Sequence, residues 1–221
     1  MGEGSINKAV SNPDLRAALA WMLAHLEFTW ITLAAVNVYG SLVAAVGLAA
    51  GRRWALLILG AVIALAWLSV ATGLPLGRIR YGTALGLKLG PVPLGLPLLW
   101  FTVIIGAREI ILRFRPRWGQ WPLAASVGAL AVLTDVNLES PAAKLRGFWF
   151  WSTLSPDLPP VFDFPLAGSL AWGVLAALIT LNLRESDVVT SARKRPWQPM
   201  VTLAIFEAVF MAANVTYRLS H

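Results

Sequence analysis

The chain has no cysteine, only two histidines, and few charges: Asp, Glu, Lys and Arg make up 13% of its 221 residues. Without cysteine there are no disulfides, thiolate metal ligands or thiol nucleophiles. His25 and His221 are isolated from any carboxylate–histidine cluster, so no metal site is expected. No phosphate-binding glycine loop, dinucleotide fingerprint or Ser-His-Asp set is visible, and no cofactor is expected. A cleavable signal is not expected either, because Met1–Arg16 carries Glu3 and Asp14 and lacks a basic segment ahead of a short apolar core. What the chain has in excess is grease: 57% hydrophobic residues, 11 Trp and a mean hydropathy of +0.68. A soluble domain this short could not bury that much apolar surface in one core, so lipid is the expected solvent. The net charge of +7 does not indicate nucleic acid. Its cations cluster at the ends of apolar runs, where they face anionic headgroups, and no polar basic face for a nucleic acid is visible.

Apolar runs of about 18 or more residues with few charges read as spanning helices. The expected fold is all-α, a polytopic transmembrane bundle of about six spans forming a single integral-membrane domain over 1–221. A short N-terminal segment (1–16) and one polar connector (184–199) complete it. The first span is placed near Phe28–Ala50, after interfacial turns that start at Asn12-Pro13-Asp14, and Arg52-Arg53 is expected to end it. Trp54–Thr72, Pro93–Arg113, a fourth span from Pro122 to Thr134, Leu166–Leu183 and Met200–Tyr217 follow. Six crossings put both termini and the 73–92 and 136–165 loops on one face. The opposite face receives Arg52-Arg53, Arg113/Arg115/Arg117 and Arg193-Lys194-Arg195, which makes it the cytoplasmic candidate. The two loops are expected to pack together. Gly77, Gly82, Gly86 and Gly90 suit a tight re-entrant or interfacial fold, and Arg78, Arg80 and Lys88 are expected to reach headgroups.

Those same loops carry two motifs. "TGLPLGRIRYGTALGLKLGPVPLGLPLLWF" (72–101) and "DVNLESPAAKLRGFWFW" (135–151) together resemble the signature of membrane carotenoid biosynthesis proteins, a family that includes γ-carotene 1′-hydroxylases and bisanhydrobacterioruberin hydratases. In the first block Thr72, Gly73, Gly77, Tyr81, Gly86, Pro93, Pro97, Trp100 and Phe101 fit the pattern; in the second Asp135, Leu138, Glu139, Ala142, Gly147, Trp149 and Trp151 do. The resemblance implies an integral protein of the prokaryotic cytoplasmic membrane that acts on a carotenoid or other isoprenoid hydrocarbon. The chain also departs from the pattern. Ala66 stands where a membrane-embedded Glu is expected, Ile79 where a Tyr is, and Gly168 where an Asn is; the proline after Glu139 has moved to Pro141.

Adding water to a terminal isoprenoid C=C proceeds through a tertiary carbocation. It needs a protonated carboxylic acid, an apolar slot, aromatic faces for the cation and one held water. Burial among tryptophans favours a neutral carboxyl in general. Asp135 and Glu139 are four residues apart and share a face if helical, which makes them the catalytic candidates. Tyr81, Trp100, Trp149, Trp151 and Trp172 are the candidate substrate walls. The plainer alternative is that the two acids end the fourth span at the interface while the tryptophans form an aromatic belt. Glu207, in the body of the last span beside Phe206 and Phe210, is a possible intramembrane acid, or else an interhelical hydrogen-bond partner of Asn37. Glu109 is expected to be neutralised by Arg108 and Arg113. Two functions therefore stand: a cofactor-independent carotenoid hydratase, and a non-catalytic relative that binds carotenoid or lipid as a scaffold or subunit of a larger, photosynthetic-type membrane complex.

Overall fold

The computed structural model describes residues 13–151, 166–183 and 195–220, with side chains described from Leu26 onward except at 218 and 220. The 155–165 loop, most of the 184–199 connector, the first twelve residues and the side chain of His25 lie outside the described residues. Six helices are present among those described: α1 Pro13–Val46, α2 Leu48–Thr72, α3 Gly95–Phe114, α4 Gln120–Ser140, α5 Leu166–Asn182 and α6 Gln198–Ser220. Five are long and apolar enough to cross a membrane. The other, α5, has 17 residues, about 25 Å at the α-helical rise.

The first two helices are separated elsewhere than the charge pattern suggested. The break falls at Gly47, whose φ of 83° is one that side-chain-bearing residues rarely adopt. Arg52 and Arg53 lie inside α2. Arginine is a good helix former, so a charged pair by itself does not interrupt a helix. The expected span of Phe28–Ala50 is accordingly cut short at Val46.

The bundle is organised around α3, which packs on α1, α2, α4, α5 and α6 and buries nearly its whole length. Next to it, α4 and α5 cross closely where Gly128 and Gly173 oppose each other. A Cβ on Gly128 would lie 2.8 Å from the Gly173 carbonyl oxygen, the small-residue contact that lets membrane helices approach. At one end Arg108 sits over the Trp54 ring at 5.0 Å, and Glu109 pairs with Arg108 at 3.1 Å and with Arg195 at 3.2 Å. The expected Glu109–Arg113 neutralisation gives way to Arg195, and Arg113 instead donates to the Arg195 carbonyl.

At the other end the two Gly/Pro-rich loops do pack together, as far as they are described. β1 (Ile79–Tyr81) pairs antiparallel with β4 (Trp149–Trp151), and β2 (Lys88–Leu89) with β3 (Val92–Pro93). Lys88 does not simply extend to headgroups; its Nζ donates to the Tyr81 carbonyl at 2.7 Å and ties the second ribbon to the first. α4 runs past Thr134 to Ser140 and then widens into a π-turn, Pro141–Leu145. Pro141 has no N–H for the Asn137 carbonyl, which is how the α-helical ladder stops there. The Asn214 amide of α6 lies 3.5 Å from that oxygen.

Candidate active site

Alternation along two three-residue strands decides which side chains meet. In β1, Ile79 and Tyr81 are buried and Arg80 is exposed; in β4, Trp149 is buried, Trp151 half-buried and Phe150 exposed. The register sets Tyr81 opposite Trp149 and Ile79 opposite Trp151, so these four share one face of the ribbon. That face meets the last turns of α4, where Asp135 and Glu139, each 3% exposed, lie one helical turn apart. α5 adds Gly168, Ser169 and Trp172, and α3 adds Leu96. The cavity they enclose is about 10 Å³, room for about one water.

Glu139 is held hard. Its Oε1 accepts from Trp149 Nε1 at 2.8 Å and from Trp151 Nε1, both brought there by β4. Both donors meet the same carboxyl oxygen, so neither engages Oε2. Ser169 lies beside the Asp135 carboxyl, close enough to act on it, although its hydroxyl forms no hydrogen bond of good geometry there. Its Oγ and the Tyr81 hydroxyl are both buried with no hydrogen-bond partner. Burial first, and then the neighbouring Glu139 and Asp135 carboxyls, holds the Tyr81 phenol well above its usual range, so it stays a neutral donor.

The structure thus brings Tyr81, Asp135, Glu139, Trp149, Trp151 and Trp172 around one space. Trp100 belongs behind that wall rather than in it. It is stacked on Trp172 with ring centroids 4.2 Å apart and planes 18° from parallel, a contact worth about 0.5–1.5 kcal/mol. Ser169 was not anticipated. Its signals in the sequence are its place where the family pattern has an aromatic, next to Gly168, and its position three residues before Trp172 on the same helical face.

Glu207 serves a separate network. Its carboxyl accepts from Thr134 Oγ1 and, at 3.0 Å, from Asn137 Nδ2, residues spaced i, i+3 on α4. Asn37, the partner expected from the sequence, donates instead to Thr202 at 3.2 Å. The interhelical hydrogen bond is real, but its partner helix is α4. Replacing Glu207 with leucine should lower stability by about 1–3 kcal/mol, since buried Thr134 would lose its acceptor. Thermal unfolding in detergent checks this, and Glu207→Gln should lose less.

A polytopic helical membrane protein with a buried acid pair walled by indoles is the class that fold and site define. The chain belongs to the carotenoid biosynthesis protein family, whose profile matches residues 20–220. It is also 32% identical over 118 residues to a bisanhydrobacterioruberin hydratase of Haloarcula japonica, a match that covers 50% of this chain and 38% of that relative. No solved structure matches. Of the side chains replaced relative to the family pattern, Ile79 and Gly168 both line the cavity, while Ala66 is buried on α2 outside it.

Proposed function

We propose that this protein hydrates the terminal C=C of an acyclic carotenoid end group without a cofactor, acting in the prokaryotic cytoplasmic membrane. The observation that carries this reading is the pair Asp135 and Glu139, buried one turn apart in an indole-walled cavity with Glu139 gripped by two tryptophan N–H groups. The acids supply and retrieve a proton, and the rings of Trp149, Trp151 and Trp172 face the tertiary cation formed between those steps. The cavity of about 10 Å³ holds no more than a water, so the end group enters past Trp151, the half-buried residue of the lining, whose ring must move to admit it. Binding to the rest of the polyene asks only for shape and apolar surface, which the surrounding helices and lipid provide.

One observation favours the non-catalytic alternative. Ile79 and Gly168 make the cavity wall less polar at two positions where the resemblance expects Tyr and Asn. A carotenoid-binding subunit would tolerate that loss, whereas an enzyme would be slowed by it. Expression in a lycopene-accumulating host separates the two readings. The hydratase converts lycopene to a tertiary alcohol heavier by one water, whereas the binding protein carries unaltered pigment through purification. Colourless protein with no product would count against both.

A further inference from the structure

Two hydroxyls in the cavity are unusual for what they do not touch. Tyr81 Oη and Ser169 Oγ are both buried, both lack a hydrogen-bond partner, and both belong to residues lining the same space of about 10 Å³ beside Asp135 and Glu139. Buried polar groups are normally satisfied, because an unmade hydrogen bond costs about 1–3 kcal/mol. They come from separate elements, β1 and α5, so one local distortion does not account for both. A water site needs about this volume and two to four polar partners. Tyr81, Ser169 and Asp135 supply three.

We propose that Tyr81 and Ser169 are water-positioning residues: with Asp135 they hold the one water molecule that adds to the substrate, while Glu139 delivers the proton. The inference rests on the hydratase reading and deepens it by dividing the work between the acids. Glu139 Oε1 is occupied by the two indole N–H groups, so the proton sits on Oε2. Transfer of that proton to the terminal alkene breaks the π bond, forms a C–H bond and leaves a tertiary cation. The oxygen of the held water then forms the C–O bond, and one of its protons passes to Asp135. Return of that proton from Asp135 to Glu139, one helical turn away, restores the site. The sum is alkene plus water giving tertiary alcohol. Tyr81, kept neutral by burial, donates to the water oxygen, and the Ser169 hydroxyl donates or accepts as the other contacts require.

The test uses Tyr81→Phe and Ser169→Ala in the full-length protein, with lycopene as probe in heavy water. Tyr81→Phe removes an oxygen with no hydrogen bond within the protein and Ser169→Ala one with at most a weak contact to Asp135, so thermal stability should change little in either. Alcohol formation should fall about 10–100-fold, the loss of one hydrogen bond at the reacting water. Deuterium incorporation into recovered lycopene should persist, because Glu139 still protonates the alkene and the cation collapses by losing a proton. Unchanged hydration in both variants would overturn the assignment. So would a parallel fall of hydration and exchange, or a drop in stability that accounts for the activity. An experimental structure resolving ordered water should place one oxygen within hydrogen-bonding distance of Tyr81 Oη and Ser169 Oγ; a dry cavity there would also overturn it. If wild-type protein shows neither alcohol nor exchange while that water is seen, the hydratase reading fails and the water site stands.

Discussion

Glu139→Gln and Asp135→Asn should each abolish hydroxylated product, with rates at least about 1,000-fold below wild type, the scale on which general acid–base catalysis contributes. The substitutions are close to isosteric. A glutamine Oε1 at position 139 can still accept from Trp149 and Trp151, so the β4 anchor persists and the loss reads on chemistry rather than folding. Glu139→Gln should also eliminate deuterium exchange into recovered substrate, because no proton is delivered. Asp135→Asn should leave some exchange, because the donor remains while the base is gone. Product levels, measured at matched amounts of protein in membranes, decide the point. Full activity in both single variants would remove the acids from the mechanism.

Gly82→Ala should be highly damaging for a single added methyl group. Gly82 follows β1, and its N–H donates to the Phe148 carbonyl at 2.9 Å where the two loops join. A Cβ there would run into the Gly147 carbonyl oxygen, a backbone atom that no rotamer change can move. The strand pairing that sets Tyr81 against Trp149 and Ile79 against Trp151 must then open. A stability loss of about 3 kcal/mol, at the upper end for overpacking, is expected, and activity should fall with it because the cavity loses one wall. Gly60→Ala is the control. Nothing lies within 4 Å of a Cβ at that exposed position of α2, and alanine should add roughly 0.5–1 kcal/mol of helix stability. Melting of both variants in the same detergent tests the contrast.

The helices were legible because lipid imposes long apolar runs, and α3, α5 and α6 start and stop within three residues of where hydropathy places them. The α1–α2 break was not. It depends on one backbone conformation at Gly47, among 18 glycines with nothing in the pattern to single it out, while the conspicuous Arg52-Arg53 pair is simply helical. The site was legible in part for a similar reason. Asp135 and Glu139 stand out because carboxyls are rare in a greasy chain and i, i+4 spacing fixes their shared face. The two strands that complete the wall are three residues long, too short for an alternation to register. Ser169 is a lone hydroxyl near the start of an apolar helix, and only the tertiary fold puts it beside Asp135. Trp100 looked like a wall residue by its motif, but packing gives that place to Trp172 and sets Trp100 behind it.

The most direct test of the central claim is the origin of the product's oxygen. Membranes containing the protein would be incubated with lycopene, without oxygen or added cofactor, in water labelled with heavy oxygen, and the product analysed by mass spectrometry. Hydration by the Asp135–Glu139 pair predicts a tertiary alcohol carrying the label from water, formed at full rate without oxygen, and absent with Glu139→Gln. Label drawn instead from molecular oxygen, a strict requirement for oxygen or a reductant, or no alcohol at all from folded protein, would contradict it.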